Sequence, residues 1–294
     1  MLSQVIQEYA TEEWNRDVPA GDGLEAQLEA GRLLFFPRLR FEVGAHEEKF
    51  LSERWSDGKA KNISLRGRGA TAELRGCQGA AEDLALLGGM LERFAQCAEN
   101  LARQLFPVYR GRLIRGFTSY RPYAVAERQT SWRKDDTRLH VDAFPSNPTG
   151  GRRLLRVFTN VNPGYEPRVW RVGEPFENLA RRFLPKVGRY SAASARLMRA
   201  LGLTKALRTE YDHIMLQLHD LGKCDVDYQL RSPQRTCDFP PGSSWVVYSD
   251  QVQHAVSSGQ FLLEQTFYLE AEGLEDPSSA PVRLLERLTG RALV

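Results

Sequence analysis

Arg138-Leu139-His140-Val141-Asp142-Ala143-Phe144, together with the downstream Ser249-Asp250-Gln251-Val252-Gln253-His254-Ala255-Val256, decides how this chain is read. Residues i and i+2 of an extended strand point to the same face, so His140 and Asp142 can grip one ion. A second strand, paired nearby in space, can bring His254 to the same point. Two imidazoles and one carboxylate are the ligand set of a mononuclear non-haem Fe(II) oxygenase, and they leave three coordination positions open. The alternative is that His140 and His254 are unrelated polar residues at strand ends.

Context favours the first His-x-acid over the second one in the chain. His46-Glu47-Glu48 lies in a charged helix start and reads as solvated surface. His140 instead sits where polar and apolar residues alternate, and Pro145-Ser146-Asn147-Pro148-Thr149-Gly150-Gly151 follows as a turn. The strand Arg153–Val161 comes next. Around His254 the order is similar. A Pro-Pro-Gly turn and the strand Ser244–Tyr248 precede it; Ser257-Ser258-Gly259 and the strand Gln260–Leu269 follow. Strand, turn, His, turn, strand fits the second half of a jelly roll. The expected fold is therefore mainly β with helical additions: a cupin-like double-stranded β-helix braced by helices.

At 294 residues and 42% hydrophobic content, the chain can bury a large core. No linker divides it, so one domain over 1–294 is expected. The N-terminus lacks the basic start and apolar run of a signal peptide, and no stretch approaches a spanning helix. Cys77, Cys97, Cys224 and Cys237 form no Cys-x-x-Cys pair and read as reduced structural thiols of a cytoplasmic protein. Net charge is only +3, yet Asn178–Thr209 contains no acid. That stretch carries Arg181, Arg182, Lys186, Arg189, Arg196, Arg199, Lys205 and Arg208 among several leucines. It reads either as a docking segment for an anionic membrane surface or as an ordinary solvated helix pair. Sparse aromatics argue against nucleic acid.

Residues 2–16 and 22–31 are expected to be helical, within an N-terminal helical region of about 1–107. Leu33–Phe36 should be a buried strand. The clearest helix is 81–105, where Leu84, Leu87, Leu91, Phe94, Leu101 and Leu105 recur at three- and four-residue steps. Strands follow from Arg112 to Val161, a helical insert spans about 175–230, strands resume near Arg235, and 281–289 closes the chain as a helix.

The block His140–Pro163, with Tyr211-Asp212-His213, Leu218-His219-Asp220 and His254-Ala255-Val256, resembles the Kdo 3-hydroxylase family. The resemblance covers most of the chain. It implies a 2-oxoglutarate-dependent dioxygenase with Fe(II) on His140, Asp142 and His254, using dioxygen as the second co-substrate. It further implies hydroxylation of C3 of 3-deoxy-D-manno-oct-2-ulosonic acid (Kdo) to Ko in Kdo-lipid A of Gram-negative lipopolysaccharide. The basic insert would then suit peripheral docking on the inner face of the inner membrane, with no obligatory protein partner.

One departure matters. Many 2-oxoglutarate oxygenases place an Arg about ten residues after the distal His, to hold the co-substrate's distal carboxylate. Here Gln260–Leu269 contains no Arg or Lys. Arg156 is the replacement expected, since alternation puts Arg152, Leu154, Arg156, Phe158 and Asn160 on one face, and an inward arginine needs an anionic partner. Arg121 is a second candidate, and Asn160 is placed with them at the co-substrate. Arg152, Arg153 and the insert arginines are candidates for the anionic groups of the substrate. His213 and His219 are not needed as ligands and read as helix residues with local hydrogen bonds. Rival readings are an oxygenase acting on another lipid or small metabolite, a non-enzymatic jelly-roll module binding anionic glycolipid, and a cupin-type hydrolase or isomerase.

Overall fold

The computed structural model describes residues 4–15, 23–125 and 131–294. The strands are β1 (Ile6–Glu8), β2 (Leu33–Phe36), β3 (Ile63–Arg66), β4 (Glu73–Arg75), β5 (Ile114–Arg121), β6 (Arg153–Asn160), β7 (Arg168–Gly173), β8 (Gln234–Phe239), β9 (Ser244–Tyr248), β10 (His254–Ser258) and β11 (Leu262–Leu269). The helices of six residues or more are α1 (Leu24–Glu29), α2 (Ala81–Leu105), α3 (Phe176–Phe183), α4 (Ala192–Ala200), α5 (Glu210–Cys224), α6 (Val226–Arg231) and α7 (Pro281–Thr289). They build the expected jelly-roll α+β fold.

Two sheets form the core. The large one has the order β1-β2-β9-β6-β11-β5-β3-β4, and the small one β10-β7-β8. Pairing is antiparallel except for β1 with β2. All eight residues of β6 are buried, because it lies in mid-sheet between β9 and β11. Period-two alternation sends Arg156 and Phe158 of β6, and Leu262, Glu264, Thr266 and Tyr268 of β11, into one cavity. Val157, Leu263 and Phe267 join the core on the opposite face. That core runs on from Trp14 to Leu293.

Helix α2 braces that outer face, as its leucine period predicts. Leu87, Leu91, Phe94, Leu101 and Leu105 are buried, with Glu82 and Asp83 at the positive N-terminal end of the helix dipole. Phe94 meets Trp14 and Phe41 edge-on, at centroid distances of 6.0 and 5.3 Å. Arg115 on β5 donates two hydrogen bonds to Glu92, of 2.9 and 2.6 Å, tying helix to sheet.

Several sequence expectations need correction. Among the described part of 2–16 there is a strand, β1, rather than a helix, because Ile6–Glu8 completes the sheet edge beside Leu33–Phe35. The N-terminal region is likewise mixed, since β1–β4 all join the large sheet. Arg138–Phe144 is not a continuous strand; it makes one isolated bridge, His140 with His254. The strand β7 precedes the insert and escaped notice. The insert itself, α3–α6, and the closing α7 lie where expected.

The insert positions the loop that follows His140. Thr209 and Asp212 form a capping box at the start of α5. The Asp212 carboxylate also accepts hydrogen bonds from the backbone N–H groups of Thr149 (2.7 Å) and Gly150 (3.0 Å). Lys205 N–H donates to the Ser146 carbonyl at 2.9 Å. All four cysteines are free.

Truncating Phe94 to Ala should lower stability by about 3–5 kcal/mol, because the aromatic leaves a cavity between α2 and the sheet. Urea unfolding followed by circular dichroism checks this. A loss below about 1 kcal/mol contradicts the bracing role.

Candidate metal centre

The isolated bridge is reciprocal. His140 N–H donates to the His254 carbonyl at 3.0 Å, and His254 N–H donates back at 2.8 Å. Directly opposed residues of an antiparallel pair send their side chains to the same face. The two imidazoles accordingly lie 4.6 Å apart, centroid to centroid. Asp142, two residues beyond His140, completes a cluster whose candidate ligand atoms all fall within 4.8 Å of one another. The Asp142 backbone is itself fixed, N–H to the Ser249 carbonyl, at 2.8 Å.

The chemistry of this cluster fits a divalent metal. Nδ1 of His140 lies 2.7 Å from the Arg138 carbonyl, and Nδ1 of His254 lies 2.8 Å from the Val252 carbonyl. A carbonyl can only accept, so each Nδ1 carries the proton and each Nε2 is left with a lone pair. Both Nε2 atoms then face Asp142, at 3.9 Å from its Oδ1 and Oδ2 respectively. Burial depresses both histidine pKa values, with His254 adding to the effect on His140 and Asp142 opposing it on His254, so the rings stay neutral. Burial pushes the Asp142 pKa up, but Arg156 and the two imidazoles outweigh it and hold the carboxyl below its ordinary range. Asp142 Oδ2 is buried and accepts no hydrogen bond. Arg156 Nη1 stands 3.2 Å away, near enough to pair electrostatically but not aligned to donate. Two neutral donors and a buried, under-satisfied carboxylate in such a cluster are what an ion would stabilise.

Neighbours hold the rings. Trp170 stacks on His254 at 4.9 Å and 20°. His219 meets His140 edge-on at 5.4 Å, while its Nδ1 pairs with Asp220 at 2.9 Å. His213 bonds the Gly188 carbonyl and Gln217. Neither offers a fourth ligand in the cluster, as expected.

The cluster lines a cavity of about 370 Å³ between the two sheets. Arg156 faces into it, as predicted. Its anionic partners are protein carboxylates, Asp142 and, at 3.1 Å, Glu264. Arg121 also lines it, paired with Glu264 and, at 3.6 Å, Asp136. Asn160 does not line it. Its amide donates to the Phe239 carbonyl at 2.9 Å and accepts from Asn162 N–H, because the strand ends there and the side chain caps the turn. Arg153 is also withdrawn from any ligand. It is fully buried on the opposite face of β6, bound to Asp250 at 2.7 Å and packed on the Tyr248 ring.

Sequence reading missed Glu264, Asp136, Arg168 and Trp170. Glu264 left the clearest trace, as a lone carboxylate inside Phe261-Leu262-Leu263-Glu264-Gln265-Thr266-Phe267. Buried charge in an apolar strand signals a partner. Arg168 is 1% exposed and donates to the Gly259 carbonyl at 2.9 Å. Gly259 is required there: its φ is +109°, and a Cβ would lie 2.9 Å from the Arg168 Cα.

Alanine at His140 or His254 should weaken Co(II) binding by more than about 100-fold. His219→Ala, which removes a neighbour but no donor, should cost less than about tenfold. Titration calorimetry on the metal-free protein compares them, and equal losses at all three positions would disprove the cluster.

The chain is similar to known proteins over nearly its whole length. The sequence profile of the family described as 3-deoxy-D-manno-oct-2-ulosonic acid (Kdo) hydroxylase matches residues 11–292. A crystal structure of the Kdo hydroxylase KdoO, a non-heme Fe(II) alphaketoglutarate-dependent dioxygenase, in complex with cobalt(II) superposes with a TM-score of 0.94 at 47% identity, covering 99% of this chain and 98% of that one. The same enzyme in complex with alphaketoglutarate and Fe(III) gives 0.93 at 46% identity, covering 98% and 97%. No curated protein matches. This chain therefore belongs to the Kdo hydroxylase family.

Proposed function

We propose that this protein is an Fe(II)- and 2-oxoglutarate-dependent dioxygenase that hydroxylates C3 of Kdo to give Ko in Kdo-lipid A. The observation that carries the reading is the His140–Asp142–His254 cluster, set in a cavity with an excess of positive charge. Six cationic residues line it, Lys61, Arg66, Arg121, Arg156, Arg168 and Lys205, against the carboxylates Asp136, Asp142 and Glu264. A ferrous ion adds two charges and 2-oxoglutarate removes two. An excess of three then remains to attract an anionic substrate. KdoO bears the name Kdo hydroxylase and has been crystallised with alphaketoglutarate and with succinate, which supports the same co-substrate here.

His140, Asp142 and His254 would hold the iron, with both imidazoles coordinating through Nε2. When bound, iron and 2-oxoglutarate supply the chemistry, in which dioxygen is consumed, 2-oxoglutarate becomes succinate and carbon dioxide, and a C–H of the sugar becomes C–OH. The chain contributes placement. Arg156 pairs with Asp142 at 3.2 Å and, with Arg121 and the buried Arg168 in the same cavity, would offer a guanidinium group to the co-substrate's carboxylate. Phe144, Phe158, Trp170 and Leu262 give the cavity an apolar wall that limits stray water.

Delivery of the substrate belongs to the same reading. No helix among the described residues is long and apolar enough to cross a membrane. In α4 only Ala195 is buried; Leu197 of α4 and Leu201, Leu203 and Leu207 beyond its end are 59%, 64%, 61% and 49% exposed. Arg189, Arg196 and Arg199 beside them form no ion pair among the described residues. Exposed leucines among uncompensated cations suit the headgroup layer of an anionic bilayer, such as the inner face of the inner membrane. Lys205 lies on the same segment and lines the cavity, so docking there would turn the mouth toward a glycolipid in the bilayer.

Purified protein given Fe(II), 2-oxoglutarate and Kdo-lipid A should release succinate and yield a product heavier by one oxygen atom; no turnover on a verified substrate overturns the assignment. An anaerobic 2-oxoglutarate titration should show Arg156→Ala binding at least about tenfold more weakly. Unchanged affinity removes Arg156 from the co-substrate site. Leu197→Asp with Leu201→Asp should reduce sedimentation with phosphatidylglycerol vesicles by more than about tenfold. Retention equal to the parent's rejects docking through α4.

A further inference from the structure

Two of the cavity's cations differ from the rest. Arg121 and Arg156 are deep, at 8% and 7% exposure, and both pair with carboxylates. Lys61 pairs with Asp136 at 2.6 Å. Arg66 and Lys205 sit at the rim, half-buried and exposed, and neither forms an ion pair among the described residues. They arrive from unrelated parts of the chain, Arg66 from β3 and Lys205 from the loop between α4 and α5. Both nevertheless converge on Phe117 of β5. The Arg66 guanidinium carbon is 4.6 Å from the ring centroid and the Lys205 Nζ is 5.1 Å from it.

Holding two like charges about one ring costs energy unless something compensates. Glu73 stands opposite Arg66 in the β3–β4 ladder and feels its charge, but its carboxylate forms its ion pair with Arg75, at 2.8 Å. The pKa of Lys205 is lowered, first by partial burial and then by Arg66 and Arg75, so the positive field is felt at this amine. Arg66 Nε is buried and has no hydrogen-bond partner. An unsatisfied guanidinium N–H and a lysine that share one aromatic ring and line one cavity are complementary to an anion.

We infer that Arg66 and Lys205, over Phe117, form a rim subsite for a second anionic group of the substrate, a carboxylate or a phosphate borne beyond the sugar that is hydroxylated. This rests on the proposed substrate class and assigns part of its recognition. The planar fork of Arg66 and the point charge of Lys205 suit oxyanions of either kind. On a Kdo-bearing glycolipid the group would be the carboxylate of a neighbouring acidic sugar or a phosphate of the lipid part.

The test uses Arg66→Gln and Lys205→Gln, at positions exposed enough to fold normally, with Co(II) affinity as the control of the centre. On Kdo-lipid A each variant should raise KM for the glycolipid about tenfold with kcat within about twofold, and 2-oxoglutarate affinity should not move. Phosphatase-treated substrate separates the sources. If a phosphate is the ligand, the parent protein loses its advantage over the variants; if a carboxylate is, the tenfold difference persists. Parental KM in both variants on intact substrate overturns the subsite, as does a change confined to 2-oxoglutarate affinity. Absence of turnover by the parent protein instead overturns the functional reading, and the subsite with it.

Discussion

Everything at the centre depends on one pair of backbone hydrogen bonds, those between His140 and His254. They form the one β-bridge of the His140 segment among the described residues, and they join it to the small sheet. Because the bonds are reciprocal, the two residues stand opposite each other and their rings share a side. Carbonyls two residues earlier in the chain then fix which nitrogen is protonated. Arg138 and Val252, each two residues before its histidine, accept from Nδ1. A donor set for a metal thus arises from main-chain geometry, with Trp170 and His219 packed against the rings to keep them still.

A second constraint is electrostatic. Burying Asp142 is unfavourable alone, and so is burying Arg156. With Glu264 of β11 and Arg121 of β5 they form a row that alternates in sign, from Asp142 beside His140 through Arg156 of β6. Each charge is stabilised by its neighbours, and removing one partner would leave the others uncompensated in a low dielectric. Alternation in sign also explains how the cavity can be lined by several arginines without collapsing the sheet's order. Arg66 and Lys205, which line the same cavity, form no such ion pair among the described residues.

Much of this could be read in advance. The helix 81–105 announced itself because one apolar face repeats over many turns, and packing on a sheet requires that repeat. The His-x-Asp with a distant His was legible because strand period and ligand chemistry both restrict it. Arg156 was legible because alternation along Arg153–Asn160 is simple. Asn160 followed the same alternation and still missed the cavity, since a strand end frees its side chain to cap a turn. Residues 2–16 misled for a related reason. Three residues of edge strand leave almost no periodic trace, and their state depends on the partner Leu33–Phe35.

By itself, the sequence determined which segments had to be buried, that strands would dominate around the two histidines, and which residue types could bind a metal. These follow from local period and chemistry, which neighbours in the chain carry. The tertiary structure alone decided that Glu264 and Asp136 would neutralise the inner arginines, that Arg153 would turn away to Asp250, and that Arg66 and Lys205 would meet over Phe117. Those are contacts between residues far apart in the chain. They depend on strand register and on where the helical insert lands, and no local pattern encodes either.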